Sequence, residues 1–72
     1  SYTTSLFDDG IDKIAQKVGE EAVETVIEAK NEDHSLVDEV SDLIYHLLVL
    51  LVAKGVPLKK VIQRLKKRHQ KG

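Results

Sequence analysis

The sequence predicts an all-α fold, an antiparallel helical hairpin followed by a third helix. Three observations predict it. Apolar residues recur at the helical period of about 3.6 residues in three successive segments. No segment alternates apolar and polar residues in the manner of a half-buried strand. Gly10, Gly55 and Pro57 stand where those segments begin or end, and no internal repeat or low-complexity tract interrupts them.

Gly10 breaks the opening segment, and Asp8, Asp9 or Asp12 supplies the N-cap of a first helix running from about Ile11 to Lys30. Its apolar residues Ile11, Ile14, Ala15, Val18, Ala22, Val26 and Ala29 follow the helical period. The polar stretch "NEDHS" is turn-like, with Asp33 or Ser35 as cap for a second helix from about Leu36 to Lys54. From Leu43 onward that helix reads "LIYHLLVLLVA", apolar on nearly every side. Such a pattern marks an element covered all round, here the centre of the fold and part of a subunit interface. Gly55 is a natural C-cap, and Pro57 suits the first turn of a third helix with Leu58, Val61, Ile62 and Leu65 at i, i+3, i+4 and i+7. The rest of that helix is basic.

A chain of 72 residues makes one domain at most. A domain this small buries only about 60% of the surface its unfolded form exposes, so a second copy or a missing neighbour is expected to complete the core. There is no cysteine to build disulfides or thiolate metal sites, and a cytoplasmic setting is expected. The longest apolar run, Leu47 to Ala53, is seven residues, far short of the roughly 20 that cross a bilayer. No signal peptide is visible, and the absence of an initiator Met suggests a piece of a longer protein. All twelve acidic residues lie at or before Asp42, while eight of the eleven Lys and Arg residues lie after it. Asymmetry of this kind fits nucleic-acid binding, or two walls of one site with acids for metal and bases for phosphate. No helix-turn-helix, zinc or aromatic-interleaved pattern supports nucleic acid.

The acids are not scattered. At about 100° per residue from Ile11, Glu20, Glu24, Glu28 and Glu21 fall near 180°, 220°, 260° and 280°, one stripe bordered by apolar residues that puts Glu20 and Glu21 at its rim. On the second helix Glu39, Asp42 and His46 share one side of an otherwise apolar cylinder, with Glu39 and Asp42 adjacent at i and i+3. The short turn makes the two helices antiparallel partners and can join their acidic clusters. Bare carboxylates at the edge of a low-dielectric core oppose one another's ionisation, whereas Mg²⁺ prefers such oxygen ligands and bridges them to substrate phosphates. Against this stands a solvated acidic face held by pairs such as Lys17 with Glu20 and Glu21, which is all that Glu28 by itself implies. Glu39 and Asp42 favour metal because they interrupt a helix with little solvent to face. Glu39-x-x-Asp42 also differs from the Glu-x-x-His of ferritin-like di-iron bundles, and oxygen in place of imidazole favours Mg²⁺ or Mn²⁺ over iron.

"EEAVE" at Glu20, Glu21 and Glu24 followed by "EVSD" at Glu39 and Asp42 resembles the EExxE…ExxD signature of the MazG-like all-α nucleoside triphosphate pyrophosphohydrolases. "SYTTSLF", "KIAQKVGEEAVETVIEAK" and "SDLIYHLLVLL" are similar to the phosphoribosyl-ATP pyrophosphohydrolases of histidine biosynthesis, particularly the C-terminal domain of bifunctional cyclohydrolase–pyrophosphohydrolases. The similarity runs from Ser1 to about His69. It implies hydrolysis of the α–β phosphoanhydride of 1-(5-phosphoribosyl)-ATP with Mg²⁺, in a bundle completed by dimerisation. Family members usually carry a further helical segment before the position of Ser1, and a cyclohydrolase domain can precede it. Carried over residue by residue, Glu20, Glu21, Glu24, Glu39 and Asp42 are the metal-site acids, and Lys13 and Lys17 are placed to meet phosphate.

Within that frame a carboxylate not holding metal, Glu20 or Glu24, is the candidate to accept the proton of the attacking water. Arg64, Lys67 and Arg68 divide between phosphate contact and solvated tail. His46 divides between an outer partner of Asp42 or a substrate contact and, more in keeping with an apolar helix, a satisfied core residue. Tyr45 reads as an interface aromatic, His34 and His69 as surface residues. Two competing functions stay open: a pyrophosphohydrolase for another nucleoside triphosphate, and a non-catalytic helical dimerisation module.

Overall fold

The computed structural model describes residues 1–32 and 35–70, so Asp33 as a cap and His34 as a surface residue lie outside the described part. Four helices follow one another: α1 (Tyr2–Asp9), α2 (Ile11–Ala29), α3 (Leu36–Ala53) and α4 (Leu58–His69). The three sequence-predicted helices are all present, the first two within about a residue at each end. The opening segment is helical as well, which periodicity did not reveal.

An isolated helix of eight residues is far below the length at which propagation repays nucleation. α1 therefore depends on its ends and its packing. Ser1 caps it by accepting from the Thr4 backbone N–H at 3.2 Å, and Leu6 is 2% exposed. Gly10 closes it at φ 93°, in the region that favours glycine, and its carbonyl accepts the first bond of α2 from Ile14 at 3.2 Å. Gly10 is thus the N-cap of α2, with no side-chain cap bond. Asp8 and Asp9 end α1 instead, and Asp12 sits in the first turn of α2, where the helix dipole favours an anion.

Ser35 takes the N-cap position of α3. At the other end Gly55, at φ 67°, reverses the chain: its N–H bonds the Val52 carbonyl and that of Val56 bonds Leu51. These are the paired bonds of a Schellman ending. Lys54 is thus the C-cap and Gly55 the residue after it, and Pro57, expected in the first turn of α4, stands one residue earlier as its N-cap.

α2 lies along α3, and α1 packs on α2. Leu6, Ile14 and Val49, one from each of the first three helices, form the buried apolar cluster, with Tyr45 and Leu50 packed against it. The face of α2 that turns inward is Ile14, Val18, Glu21, Ala22, Thr25 and Glu28, while Val26 on the periodic apolar face is 60% exposed. Glu21 is therefore a buried residue and not a rim residue. Nor is α3 covered all round within one chain. Ile44, Leu47, Leu48 and Val52 are all exposed, and part of this face opens onto an apolar groove of 260 Å³ shared with Leu58 and Val61 of α4. Among the described residues no helix is long and apolar enough to cross a membrane.

Candidate functional site

Along the α2–α3 seam, positions that would ordinarily be apolar carry acids. Glu21 on α2 is 7% exposed, Glu39 on α3 is half-buried and Glu24 lies at the solvent edge. One carboxylate oxygen from each of the three lies within 4.8 Å of the others. The Thr25 hydroxyl reaches the Glu21 carbonyl at 2.8 Å and the Glu39 carbonyl at 3.3 Å. That single O–H, shared between an acceptor on each helix, clips α2 to α3 beside the acids.

The cluster is short of donors. Oε2 of Glu21 and Oε2 of Glu39 are buried without a hydrogen-bond partner, and among the described residues no Lys or Arg pairs with Glu24, Glu39 or Asp42. The Glu39 carboxyl is pushed up from 4.5 to about 7, first by its hydrogen bond with Glu24, then by burial, then by the charges of Glu24, Glu21 and Asp42. Each of these favours the protonated acid. Near neutrality the cluster holds a proton where a cation would relieve it better. An all-oxygen donor set with buried, unsatisfied lone pairs fits a hard divalent ion, and Glu21, Glu24 and Glu39 are the residues that can hold it.

A pH dependence follows with a definite sign. Because the folded pKa of Glu39 is raised, its contribution to stability is complete below about 4.5 and is lost as pH rises through about 7. Glu20 acts in the opposite direction but only at lower pH. Its carboxyl is held below 4.5 by hydrogen bonds from Gln16 and then Lys17, so its contribution is lost on acidification below that value. Between pH 5 and 8 the melting temperature in EDTA should therefore fall as pH rises, and added Mg²⁺ should stabilise more at pH 8 than at pH 5.5. Calorimetric melts with and without Mg²⁺ check this; a metal-free melting temperature that climbs across that window contradicts it.

The remaining sequence candidates are distributed around this centre. Glu20 is exposed and outside the three-oxygen group, accepting from Gln16 at 2.9 Å and pairing with Lys17 at 3.2 Å. Lys17 also reaches Glu21 at 3.5 Å, so the two ion pairs expected of a solvated face do form, on the flank of the cluster. Asp42 is exposed, one turn beyond Glu39, and close enough for its charge to act on it. Lys13 is exposed a turn before Lys17. Arg64, Lys67 and Arg68 are exposed on α4, and among the described residues none pairs with the acids. Glu28 is half-buried on the same face as Glu21. His69 is exposed.

His46 is buried at 5% exposure and bonded through both ring nitrogens, Nδ1 to the Asp42 carbonyl at 2.7 Å and Nε2 to the Tyr2 hydroxyl at 2.8 Å. It meets Asp42 through the backbone, not the carboxylate. Tyr45 is engaged within the chain, hydrogen-bonded to Thr3 and stacked on Tyr2. Two residues escaped the sequence reading. Thr25 had a visible signal, a hydroxyl four residues after Glu21 in an otherwise apolar and acidic helix. Tyr2 had none, since its partner lies 44 positions away.

Comparison with known proteins adds the following. The model of the phosphoribosyl-ATP pyrophosphohydrolase family matches residues 1–69. The phosphoribosyl-ATP pyrophosphatase of Listeria monocytogenes serovar 1/2a is 59% identical over 71 residues, covering 99% of this chain and 69% of that protein. The histidine biosynthesis bifunctional protein HisIE of Bacteroides thetaiotaomicron is 60% identical over 70 residues, 96% of this chain and 34% of that protein. The HisIE protein of Bacillus subtilis is 59% identical, with the same coverage.

Proposed function

From the premise that this chain belongs to the phosphoribosyl-ATP pyrophosphohydrolase family, we propose that it hydrolyses 1-(5-phosphoribosyl)-ATP to phosphoribosyl-AMP and pyrophosphate, a step of histidine biosynthesis, with Mg²⁺. The observation that carries the metal-dependent form of this reading is the convergence of Glu21, Glu24 and Glu39, with one buried oxygen of Glu21 and one of Glu39 that no donor among the described residues satisfies. Mn²⁺ suits the same donors. Asp42, on the α3 turn after Glu39, is proposed to complete the acidic wall.

A bound Mg²⁺ would supply charge neutralisation at the polyphosphate and a more acidic water. The chain's own residues do the rest. Glu20 is ionised at neutral pH, solvent-accessible and outside the three-oxygen group, so it is the residue proposed to accept the proton of the attacking water, with Glu24 the second candidate. Lys17, held between Glu20 and Glu21, faces the phosphates at the cluster's flank, and Lys13 extends that basic edge. Among the described residues Arg64, Lys67 and Arg68 pair with none of these acids. Their phosphate role is proposed together with a second copy, which would also cover the exposed apolar side of α3. Sedimentation equilibrium tests that homodimer; a monomeric mass at every concentration assayed rejects it. The proposed domain is 1–72, joined in some relatives to a second activity as the bifunctional names indicate.

The assay is pyrophosphate release from phosphoribosyl-ATP with Mg²⁺ and with EDTA, beside ATP, dUTP and dCTP. We expect Mg²⁺-dependent turnover with phosphoribosyl-ATP preferred. Preference for a simple triphosphate would move the chain to a different specificity within the superfamily. Absence of turnover on all of them, with no effect of Mg²⁺ on stability, would leave only a helical dimerisation module.

A further inference from the structure

A tyrosine at a protein surface ordinarily buries its ring and leaves its hydroxyl in water. Tyr2 does the reverse. Its hydroxyl turns inward, 2.8 Å from Nε2 of buried His46, yet the residue is 50% exposed. With the polar end committed, the surface left open belongs chiefly to the apolar ring. Tyr45 stands beside it, half-buried, its hydroxyl bonded to Thr3 and its ring 6.2 Å from that of Tyr2 with the planes 29° apart. His46 meets both rings edge-on, at 5.7 and 5.1 Å. Two hydroxyl bonds and two edge contacts thus fix a pair of near-parallel rings in place.

Anchoring α1 accounts for the hydroxyl bonds, since each ties α1 to α3, but it gives the open ring no use. The position of the ring supplies one. His46, on which Tyr2 is hung, follows Asp42 by one helical turn and bonds its carbonyl at 2.7 Å. From Glu39 to His46 is seven residues, or about 10 Å along α3 at 1.5 Å per residue. That is the scale of a nucleoside monophosphate from its phosphate to its base. A nucleotide whose phosphates meet the carboxylate cluster therefore carries its base to the level of the two tyrosines. An aromatic face accepts a base without any hydrogen-bond donor, and a purine overlaps it more fully than a pyrimidine does.

We propose that the open ring of Tyr2, held beside Tyr45, is a stacking platform for the purine of a nucleotide whose phosphates lie at the carboxylate cluster. This role rests on the pyrophosphohydrolase reading of that cluster, to which it adds the element that selects the base. Held at both its hydroxyl and its edge, the ring meets the purine without first losing side-chain freedom. Tyr2 touches the substrate far from the bond that breaks, so it contributes equally to the bound substrate and to the transition state and acts on KM, not on kcat.

The test has one arm free of metal and of turnover. The chain has two tyrosines and no tryptophan, so each tyrosine ring is read directly in proton NMR spectra. Adenosine, an uncharged probe that the acids do not repel, is titrated in EDTA beside cytidine and ribose. It should move the Tyr2 ring protons upfield and saturably, cytidine should bind about tenfold more weakly, and ribose should do nothing. Tyr2→Phe and Tyr2→Leu both lose the bond to His46, so the difference between them reports the ring alone. Read from the adenosine protons, Tyr2→Phe should bind within about threefold of the parent and Tyr2→Leu about tenfold more weakly. In the second arm, with Mg²⁺ and phosphoribosyl-ATP, Tyr2→Leu should raise KM about tenfold with kcat within about twofold of the parent, and Tyr2→Phe should stay near the parent in both. Tyr2 signals indifferent to adenosine, equal binding by the two variants, or a loss confined to kcat overturns the platform. So do Tyr2 shifts that follow protein concentration without nucleoside, which would assign the open ring to a second copy. A parent chain that binds adenosine at Tyr2 but releases no pyrophosphate from phosphoribosyl-ATP counts against the proposed function and supports the purine site; an active parent whose Tyr2 ignores adenosine does the opposite.

Discussion

Glu21→Gln should lower Mg²⁺-dependent pyrophosphate release by about 10³-fold, roughly 4 kcal/mol of barrier, while leaving the metal-free fold as stable as before or more so. The two halves of this expectation have one cause. Glu21 is buried, shares the 4.8 Å carboxylate group with Glu24 and Glu39, and leaves one oxygen without a donor. Gln has the same shape, so packing survives, but one of the charges that oppose ionisation of Glu39 is gone. Without metal the substitution relieves repulsion. With metal it removes a ligand at the centre of the site. The parent should accordingly gain about 2.7 kcal/mol from Mg²⁺ at 100 times its dissociation constant, and the variant almost nothing. Melting curves in Mg²⁺ and EDTA beside the phosphate assay separate the outcomes. A variant that keeps the parent rate, or the parent's response to Mg²⁺, would remove Glu21 from the site. Asp42→Asn, at an exposed position, should be the milder change.

Ile14→Ala should unfold most of the chain at 37 °C. Ile14 is 1% exposed and joins Leu6 of α1 to Val49 of α3. Truncating such a residue costs roughly 2–5 kcal/mol through lost burial and the cavity left behind. A domain of this size has little to spare. Moreover, α1 has one buried apolar side chain, Leu6, and it rests on Ile14. Losing that contact should release α1 and, with it, the Tyr2 to His46 bond. Val37→Ala, at a position 74% exposed, is the control and should change stability by no more than about 0.5 kcal/mol. Circular dichroism melts of the two variants check the pair; an Ile14→Ala chain as stable as Val37→Ala would mean that the described cluster is not the core.

Three helices, the break between the last two at Gly55 and Pro57, and the candidacy of five acids were legible in the sequence because each depends on neighbours within a turn or two. Helical periodicity, the positive φ of glycine and the fixed φ of proline are local physics, and so is the like-charge crowding of Glu20, Glu21 and Glu24 from which a cation was expected. α1 was not legible for the complementary reason. Its eight residues include a Thr-Thr-Ser run of weak helix formers, and it exists because Leu6 finds Ile14 and Tyr2 finds His46 across the fold.

Which face of α2 meets α3 was likewise decided only in three dimensions. Of the periodic apolar set Ile11, Ile14, Ala15, Val18, Ala22, Val26 and Ala29, the packed seam takes Ile14, Val18 and Ala22 inward, but it brings Glu21, expected at a rim, and Thr25 in with them and leaves Val26 in solvent. An apolar stripe states that a helix has something to bury, not which partner will bury it. Where two helices both carry acids among their apolar residues, the rotation between them fixes whether those acids scatter as a solvated face or converge on one point, and a rotation is a property of the pair that neither strand of text contains.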